Sequence, residues 1–441
     1  MVSKLPHKLV VILGSTGTGK TDLSLRIAQK FNGEIVNADS MQIYKSLDIL
    51  TNKPTQLEFD TCRHHLFNVF NPNEQCNVFE FQRMALSLID QIYSRGNLPV
   101  LVGGTHCYID SVIFHYLISN KQQTTESMSV ASSSELFKLD SGDQNLNYPL
   151  LMEIDPISAT RIHPNDSRKT IRALEVFYQT GRKLSEHISE QKQESGIDSP
   201  TGPLRFEDSC VIWLDCERAV LYNRLDKRVD KMNERGLLQE VKEFYVNEYL
   251  KSSEEMKSRG LLQSIGFKEW LPYLEEWHNG RAISSELEST CIQKLKQRSR
   301  NYARSQLAWI RNRYLIKRGE REISRFYKLD TTDLLNWEDN VGRLSDKIVS
   351  AYMRDELPKD VISVTHTPAT TNNKSYNFCD RCQIVLIGDK TLQSHLKSRR
   401  HSKRGTKLKR LQNLLLQQQI KKHFEPPENQ GDILSDVKSL F

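Results

Sequence analysis

A short glycine-rich stretch near the N-terminus constrains the fold of this chain more than any other feature. The apolar run Leu9–Leu13 leads into Gly-x-x-x-x-Gly-Lys-Thr, and an amphipathic stretch, Thr21–Phe31, follows. Strand, glycine loop and helix in this order form a phosphate-binding loop, because inward-turned backbone N–H groups and the helix N-terminus attract anions. A glycine-rich turn that binds nothing is the alternative. The predicted polyphosphate site consists of Gly14, Ser15, Thr16, Gly17, Thr18, Gly19, Lys20 and Thr21.

Strands and helices alternate over the first part of the chain. Further strands are predicted at Glu34–Asn37, Leu98–Val102 and Cys210–Leu214, with a helix at Phe79–Ser94. This order predicts an α/β fold with a parallel sheet whose ligands lie at the carboxyl ends of the strands. Helices are expected to dominate between Ala219 and Arg354. The predicted domains are a core in two parts, 1–118 and 206–355, a helical insertion, 119–205, a linker, 356–375, a small basic module, 376–425, and a tail, 426–441.

The net charge of +7 is unevenly distributed. Residues 289–319 contain nine Lys or Arg and no acid, and residues 390–424 are again basic and free of acids. Two such stretches indicate a polyanionic partner, although a single one is equally typical of a solvated helix face. No run approaches the roughly 18 apolar residues of a membrane span, so no membrane partner is expected. The eight cysteines do not suggest a disulfide framework and fit a reducing compartment.

The C-terminal module contains a metal-ligand pattern. Two cysteines two residues apart precede two histidines, at the spacing of a zinc finger. Four ligands with no open position predict a structural Zn²⁺, and Phe378 with Leu386 or Leu392 would form a small core. The pattern resembles fingers of the matrin type, which are common in RNA-binding proteins. The predicted zinc ligands are Cys379, Cys382, His395 and His401.

Two strand ends carry candidate catalytic groups. Asp39 follows the second strand and should lie beside the phosphate loop, where it could bind Mg²⁺ or activate an acceptor; capping the next turn is the alternative. A third strand ends in Gly103, Gly104 and Thr105, where an ordinary P-loop NTPase would place a magnesium-binding aspartate. The missing aspartate counts against simple ATP hydrolysis.

Six ordered motifs together carry a family resemblance. They are GSTGTGKT, DSMQIY, RHHLF, LPVLVGGTHCYI, RIHPNDSRKTIRALEVF and QSIGFKEW. From about residue 8 to about residue 315 the chain resembles the tRNA dimethylallyltransferases. The resemblance implies transfer of a dimethylallyl group from dimethylallyl diphosphate to the exocyclic amine of adenosine 37, beside the anticodon of tRNAs reading codons that begin with U. It also implies a phosphate loop that holds the diphosphate, with the base flipped into a channel.

The resemblance assigns roles to individual residues. Asp39 matches the general base, and Thr105 matches the threonine that hydrogen-bonds the departing ester oxygen. Lys20, with Mg²⁺ on Thr21, would neutralise the diphosphate. The segment that contacts the flipped adenine matches Asp39, Ser40, Met41 and Gln42.

A pair of arginines matches the diphosphate-binding region of the family. Arg224 and Arg228 lie one helical turn apart and share a face, and Arg224 is preferred as the catalytic one. As an alternative, both pair with Asp226 and Asp230 at the surface.

Further positions match segments that face tRNA in the family. Tyr302 and Trp309 could stack on bases, although aromatics at this spacing are more often core. The chain departs from the family pattern where Ser15 replaces a frequent proline, His106-Cys107 replaces Gly-Leu, and LTNKP (Leu50–Pro54) replaces GTAKP. The resemblance therefore does not define the pocket for the prenyl tail near Ser15, Thr51 and His106. The tRNA-facing positions are Arg168, Lys169, Arg172, Gln263, Lys294, Arg298 and Arg304.

Two other functions remain open from the residues themselves. One is a P-loop kinase of nucleotides or small molecules with an RNA-binding tail, and the other is a non-catalytic RNA-binding protein with a degenerate loop. Nothing demands a dimer, so we expect a monomer. A zinc finger appended to this transferase is the eukaryotic arrangement. It suggests that the protein is located in the cytosol and nucleus, with a mitochondrial location as a further alternative.

Overall fold

The structure is a computed structural model that describes residues 8–115, 144–195, 204–317, 323, 325–359, 361–364, 367–368, 376–382, 384–399 and 401–403. Contacts divide the chain into two compact units, residues 1–120 with 190–369 and residues 121–189 with 370–441. The strands in chain order are β1 (Leu9–Gly14), β2 (Gly33–Asn37), β3 (His64–His65), β4 (Leu98–Val102), β5 (Ser209–Asp215), β6 (Ile316–Lys317), β7 (Arg325–Asp330), β8 (Thr367–Pro368), β9 (Tyr376–Cys379) and β10 (Ile384–Ile387).

Helices form most of the remaining described chain. In chain order they are α1 (Lys20–Lys30), α2 (Gln56–Phe59), α3 (Val78–Ser94), α4 (His106–Ile113), α5 (Gln144–Ile154), α6 (Pro156–Ala159), α7 (Ser167–Thr180), α8 (Leu184–Ser195), α9 (Arg218–Glu234), α10 (Leu237–Phe244), α11 (Glu254–Lys257), α12 (Phe267–His278), α13 (Ser285–Ile310), α14 (Arg343–Met353) and α15 (Asp389–Leu396). Shorter turns of other helix types are Tyr245–Tyr249, Gly260–Gln263, Arg311–Leu315 and Glu338–Gly342.

A six-stranded sheet with the order β3-β2-β4-β1-β5-β7 forms the centre of the first unit. All of its pairings are parallel, and β1 lies between β4 and β5. Each central strand is an apolar run because both faces of a parallel sheet are buried. Strand order reverses beside β1, so a crevice opens at the carboxyl ends next to the phosphate loop. The predicted α/β fold with a parallel sheet is confirmed.

Two apolar clusters cover the two faces of the sheet. Val11 and Leu13 of β1 point into one cluster, which includes residues of α3, α4, α12 and α13. Val10 and Ile12 point into the other, against α1 and α14. This alternation follows from the period of two along a strand. As a result, α1 packs on one face of the sheet and α13 on the other.

Two strands of the sheet were missed by the sequence prediction. Arg325–Asp330 forms the edge strand β7 inside a region expected to be helical. Its Phe326 and Leu329 are buried while Lys328 is exposed. This mixture of apolar and charged residues resembles the charged segments on either side, so the strand does not stand out in the sequence. His64–His65 is only two residues long and therefore shows no periodicity.

The second unit contains short helices and a small ββα module. Helices α5, α6 and α7 pack around a core that includes Leu151, Ala159 and Leu174. In the module, β9 and β10 are antiparallel and α15 follows. Leu386 and Leu392 pack with the cysteines, whereas Phe378 is 49% exposed, so its predicted core role is wrong. The side chains of β9 alternate, and Phe378 points to the opposite face from Cys379.

Several predicted segments lie outside the described residues. They are positions 119–143 of the polar insertion, half of the linker, and the basic stretch after residue 403 with the tail. Within the described ranges, no helix has the length and apolar character needed to cross a membrane.

Candidate functional site

A cavity of about 510 Å³ opens at the carboxyl edge of the sheet. The phosphate loop borders it on one side, and the segment Asp39–Gln42 with the glycine turn after β4 borders it on another. Residues of α13 and Arg228 of α9 close it. The structure therefore brings the predicted diphosphate-binding and catalytic segments to a single cavity in the first unit.

The phosphate loop has the backbone shape that its glycines predict. Gly17 and Gly19 adopt φ values of 85° and 80°, which side chains with a Cβ rarely tolerate. A Cβ on Gly14 would lie 2.6 Å from Thr18 Oγ1. Thr18 itself donates to the Ser15 carbonyl at 2.9 Å and so closes the loop. The loop leads into α1, whose N-terminus faces the same cavity and favours an anion there.

Two partly buried cations lie against this loop. The Lys20 ammonium donates to the Ser15 carbonyl at 2.8 Å, and burial lowers its pKa to about 8, opposed by Asp39 and reinforced by Arg228. Arg228 donates through Nη1 to Thr16 Oγ1 at 2.7 Å, and burial lowers its pKa also. In the part of the chain that the structure describes, Arg228 Nε is buried without a hydrogen-bond partner. Two desolvated cations side by side are stabilised by a bound anion.

Arg224, which the sequence favoured, is not one of the residues that line this cavity. Its Nη2 donates to the Thr332 carbonyl at 2.7 Å, and its Nη1 lies 3.5 Å from Cys216 Sγ. The preference for Arg224 over Arg228 is therefore not supported by the geometry. One turn of helix separates the two side chains, and of the two only Arg228 lines the cavity.

The surface ion-pair alternative for these arginines does not hold in the structure. Asp226 pairs with Arg300, and Asp230 pairs with Lys296 at 2.6 Å. Both partners come from α13, so these carboxylates join α9 to α13 and leave Arg228 directed to the loop.

Asp39 and Thr105 are both positioned by contacts with the short segment Ser40–Gln42. Asp39 Oδ1 accepts from the Met41 and Gln42 amides at 2.9 and 3.4 Å. The Thr105 hydroxyl accepts from the Ser40 amide at 2.9 Å and lies 3.0 Å from Ser40 Oγ. Asp39 thus also caps the following turn, which was the alternative role, while its carboxylate borders the cavity.

Gly103 permits a close approach between two strand ends. A Cβ at this position would clash with the Ala38 carbonyl and its neighbouring atoms. Gly104 packs against the carboxamide of Gln306. A Cβ added at Gly104 would lie 2.6 Å from Gln306 Nε2. Gly103 therefore lets Thr105 lie next to the segment that follows Ala38, whereas a Cβ on Gly104 would displace the Gln306 carboxamide.

Gln42 contributes to the wall of the cavity through the loop that follows it. Its Nε2 donates to the Thr51 and Asn52 carbonyls at 3.1 and 3.0 Å, so its amide hydrogens are engaged by the protein. The buried Lys53 ammonium donates to the Tyr44 and Ser46 carbonyls at 2.7 and 3.0 Å. These contacts fix the shape of the loop beside the segment Asp39–Gln42.

Three further residues were missed by the sequence reasoning. Glu240 accepts from the Ile49 and Leu50 amides at 2.7 and 2.9 Å and holds the same loop from α10. Lys53 and Gln306 are the others. Gln306 offers a sequence signal, since it lies on the buried face of α13 with Leu307 and Ile310, where a polar side chain must find hydrogen-bond partners.

His106 follows Thr105 and is nearly fully buried at the start of α4. Burial, with Lys20 nearby, lowers its pKa to about 3, so the imidazole is neutral at physiological pH. Its Nε2 is buried and has no hydrogen-bond partner among the described residues. His106 is not among the residues that line the cavity.

The predicted tRNA-facing residues lie in both units. In the second unit, Arg168 and Lys169 are exposed at the start of α7, with Lys169 2.6 Å from Asp166, while the half-buried Arg172 pairs with Glu175 at 3.2 Å. In the first unit, Gln263 borders the cavity. The exposed cations of α13 are Lys294, Arg298 and Arg304.

The two candidate stacking aromatics have different surroundings. Tyr302 borders the cavity and donates to the Gly104 carbonyl at 3.4 Å. Trp309 is 38% exposed, and its indole N–H donates to Asp110 at 3.2 Å. Only Tyr302 is therefore placed where a base in the cavity could contact it.

The C-terminal module brings its four predicted ligands together. One ligand atom from each of Cys379, Cys382, His395 and His401 lies within 4.8 Å of the others. Neither cysteine forms a disulfide among the described residues, and two thiolates with two imidazoles are the donors that structural Zn²⁺ prefers. The residues fit a zinc ion with no open position.

Comparisons with known proteins agree with this geometry. The model of the IPP transferase family matches residues 42–313, and the model of a C2H2-type zinc finger matches residues 378–401. The chain is 38% identical to the tRNA dimethylallyltransferase of Mus musculus over 408 residues, covering 91% of this chain and 87% of that protein. It is 36% identical to the Saccharomyces cerevisiae tRNA dimethylallyltransferase over 425 residues, covering 91% and 94%.

A solved structure extends the similarity to three dimensions. It is a eukaryotic dimethylallyltransferase acting on tRNA, with a TM-score of 0.75 and 33% sequence identity. The match covers 93% of this chain and 99% of that one. The chain therefore belongs to the IPP transferase family, the tRNA dimethylallyltransferases, and carries a C2H2 zinc finger.

Proposed function

We propose that this protein transfers the dimethylallyl group of dimethylallyl diphosphate to the exocyclic amine of adenosine 37 in tRNAs that read codons beginning with U. The observation that carries the proposal is the meeting of a cationic phosphate loop with Asp39 around one cavity, with Thr105 hydrogen-bonded to Ser40 of the cavity lining. The similarity to tRNA dimethylallyltransferases supports the choice of donor and acceptor.

The donor diphosphate is bound by the phosphate loop. Lys20 and Arg228 are partly buried and carry lowered pKa values, so a bound anion relieves the cost of desolvating them. The unpartnered Nε of Arg228 provides a donor for an oxygen of the ligand. An aromatic amine is a weak nucleophile, so these cations promote the reaction by stabilising the charge of the departing diphosphate.

Mg²⁺ fits the same end of the cavity. The Thr21 hydroxyl borders it at the start of α1, and oxygen ligands from Thr21 and the diphosphate suit this hard cation. When bound, the ion neutralises charge on the diphosphate.

The acceptor side consists of Asp39 and Thr105. As the new C–N bond forms and the C–O bond to the diphosphate breaks, the Asp39 carboxylate accepts the proton of the amine. Its Oδ1 is held by the Met41 and Gln42 amides, which fixes the carboxylate in the cavity. The Thr105 hydroxyl, held by Ser40, donates to the ester oxygen as it departs.

The tRNA binds through cations that carry no sequence information. Exposed basic residues on α7 and α13 suit phosphate contacts, and a zinc-stabilised finger adds a further RNA-binding module. A monomeric state and a location in cytosol and nucleus remain predictions.

A two-label experiment tests the reaction. The protein is incubated with tRNA bearing three adenosines at positions 36–38 and either labelled dimethylallyl diphosphate or labelled ATP. Label from the prenyl donor is expected in tRNA; label from ATP alone would refute the proposal in favour of a kinase. Asp39→Asn should abolish transfer while tRNA binding persists, and Thr105→Ala should behave similarly. If both variants retain full activity, the two residues are misassigned.

A further inference from the structure

A single buried side chain joins the two loops of the site. Gln306 lies on α13 and is 3% exposed. Its Oε1 accepts from the Thr16 amide of the phosphate loop at 2.9 Å, and its Nε2 donates to the Gly104 carbonyl at 2.8 Å. One carboxamide thus bridges the donor-binding loop and the turn that carries Thr105.

The glycine turn is shaped to accept this carboxamide. A Cβ on Gly104 would lie 2.6 Å from Gln306 Nε2 and 3.4 Å from Asp39 Oδ2. Gly104 therefore lets the carboxamide pack directly on the turn, and the same position is adjacent to the Asp39 carboxylate. Tyr302, one turn earlier on α13, donates to the same Gly104 carbonyl at 3.4 Å.

The chemistry of this bridge requires an amide. One end must accept from a backbone N–H and the other must donate to a backbone carbonyl, which glutamine does and ionised glutamate or methionine does not. Because the Gln306 side chain is buried, water cannot replace a lost contact easily.

We propose that Gln306 is a positioning residue that sets the spacing between the bound diphosphate and the pair Asp39 and Thr105. The inference rests on the proposed prenyl transfer. Gln306 contacts both loops through their backbones and is not required to touch either substrate. Its loss lets the loops separate, and misplacement by about 1 Å can slow a reaction roughly 100-fold. Diphosphate affinity is retained, since Lys20 and Arg228 remain and the Thr16 amide becomes available to the ligand.

Single-turnover rates and pyrophosphate binding together test this role. Gln306→Met removes both hydrogen bonds at similar volume, and Gln29→Glu on α1 is an exposed control. We expect the rate of prenyl transfer at saturating donor to fall roughly 100-fold in Gln306→Met. Pyrophosphate affinity, measured by calorimetry, should stay within about twofold of wild type or become tighter, because the cations are untouched. A mutation that simply loosens the fold would lower the two together.

A glutamate variant adds a pH-dependent readout. Gln306→Glu keeps the acceptor for Thr16 but can donate to Gly104 only when its carboxyl is protonated. Burial raises carboxyl pKa values, so its rate relative to wild type should rise as the pH is lowered from about 8 to about 5.5. Gln306→Met and the Gln29→Glu control should show a flat ratio. The pH dependence of Gln306→Glu therefore tests the positioning role even if Gln306→Met does not fold.

The outcomes separate the two proposals. No transfer by the wild-type protein refutes the proposed function. An active wild type with an undiminished rate in Gln306→Met refutes the positioning role alone. That role is also refuted if rate and pyrophosphate affinity fall together, or if the Gln306→Glu ratio is flat with pH.

Discussion

Replacing Arg228 with glutamine removes a partly buried guanidinium from the phosphate-loop side of the cavity. Arg228 Nη1 lies 2.7 Å from Thr16 Oγ1, and its Nε has no partner among the described residues. A preorganised donor aimed at developing negative charge contributes about 2.7–4 kcal/mol, a factor of about 10²–10³ in rate. We therefore expect Arg228→Gln to lower kcat/KM for dimethylallyl diphosphate by this factor.

Arg224→Gln is the matched control, one turn earlier on α9. Arg224 donates to the Thr332 carbonyl at 2.7 Å and does not line the cavity. Its replacement should cost about 0.5–1.5 kcal/mol of stability through the lost hydrogen bond and leave donor kcat/KM near wild type. Arg228→Lys, which keeps the charge but loses the planar fork, should be intermediate.

Initial rates of labelled prenyl transfer at saturating tRNA provide the assay, and thermal unfolding provides the check on folding. The assignment of Arg228 to diphosphate stabilisation is refuted if Arg224→Gln lowers donor kcat/KM as much as Arg228→Gln does. It is refuted equally if Arg228→Gln, with a native unfolding transition, retains full activity.

Three other perturbations test the site and the finger. Gly103→Ala places a methyl group against the Ala38 carbonyl and should lower the melting temperature and abolish transfer; a native melting curve would contradict the close approach. Since burial lowers the pKa of Lys20 to about 8, raising the pH through 8 should discharge it and weaken pyrophosphate binding, and Lys20→Arg should remove this pH effect. Because the pKa of Lys20 is lower in the folded state than in the unfolded state, its charge destabilises the folded state below pH 8. This penalty is relieved as the pH rises above 8, so the contribution of Lys20 to the free energy of unfolding should increase there. Cys382→Ser or zinc chelation should raise KM for tRNA more than it lowers kcat; an unchanged KM would count against a tRNA-binding finger.

The local elements were predictable because their signals are short-range. The phosphate loop needs an apolar strand, glycines at set positions and a following helix, all within residues 9–31. The zinc ligands are likewise determined by spacing, and the structure places their four ligand atoms within 4.8 Å. The edge strand Arg325–Asp330 was missed because its alternation is mixed with charged residues, and its pairing partner β5 lies more than a hundred residues earlier.

The roles of individual side chains on helices were less predictable. Arg224 and Arg228 share a helix face, and sequence spacing cannot decide which one reaches the phosphate loop. That choice depends on how α9 packs against the loop and on the pairing of Asp226 and Asp230 with α13. Gln306 was overlooked for a related reason, since its two partners are separated from it in sequence by 290 and 202 residues.

The sequence by itself determined the chemistry that this protein contains: an anion-binding loop, a carboxylate and a hydroxyl at two strand ends, and four zinc ligands. Each is a local pattern, because backbone shape and ligand spacing act over a few residues. Tertiary structure decided how these groups meet. The parallel sheet brings Asp39 and Thr105 to one edge, and the glycine turn lets them approach. Helix packing selects Arg228 and places the Gln306 carboxamide between the loops, contacts that exist only once distant segments are packed together.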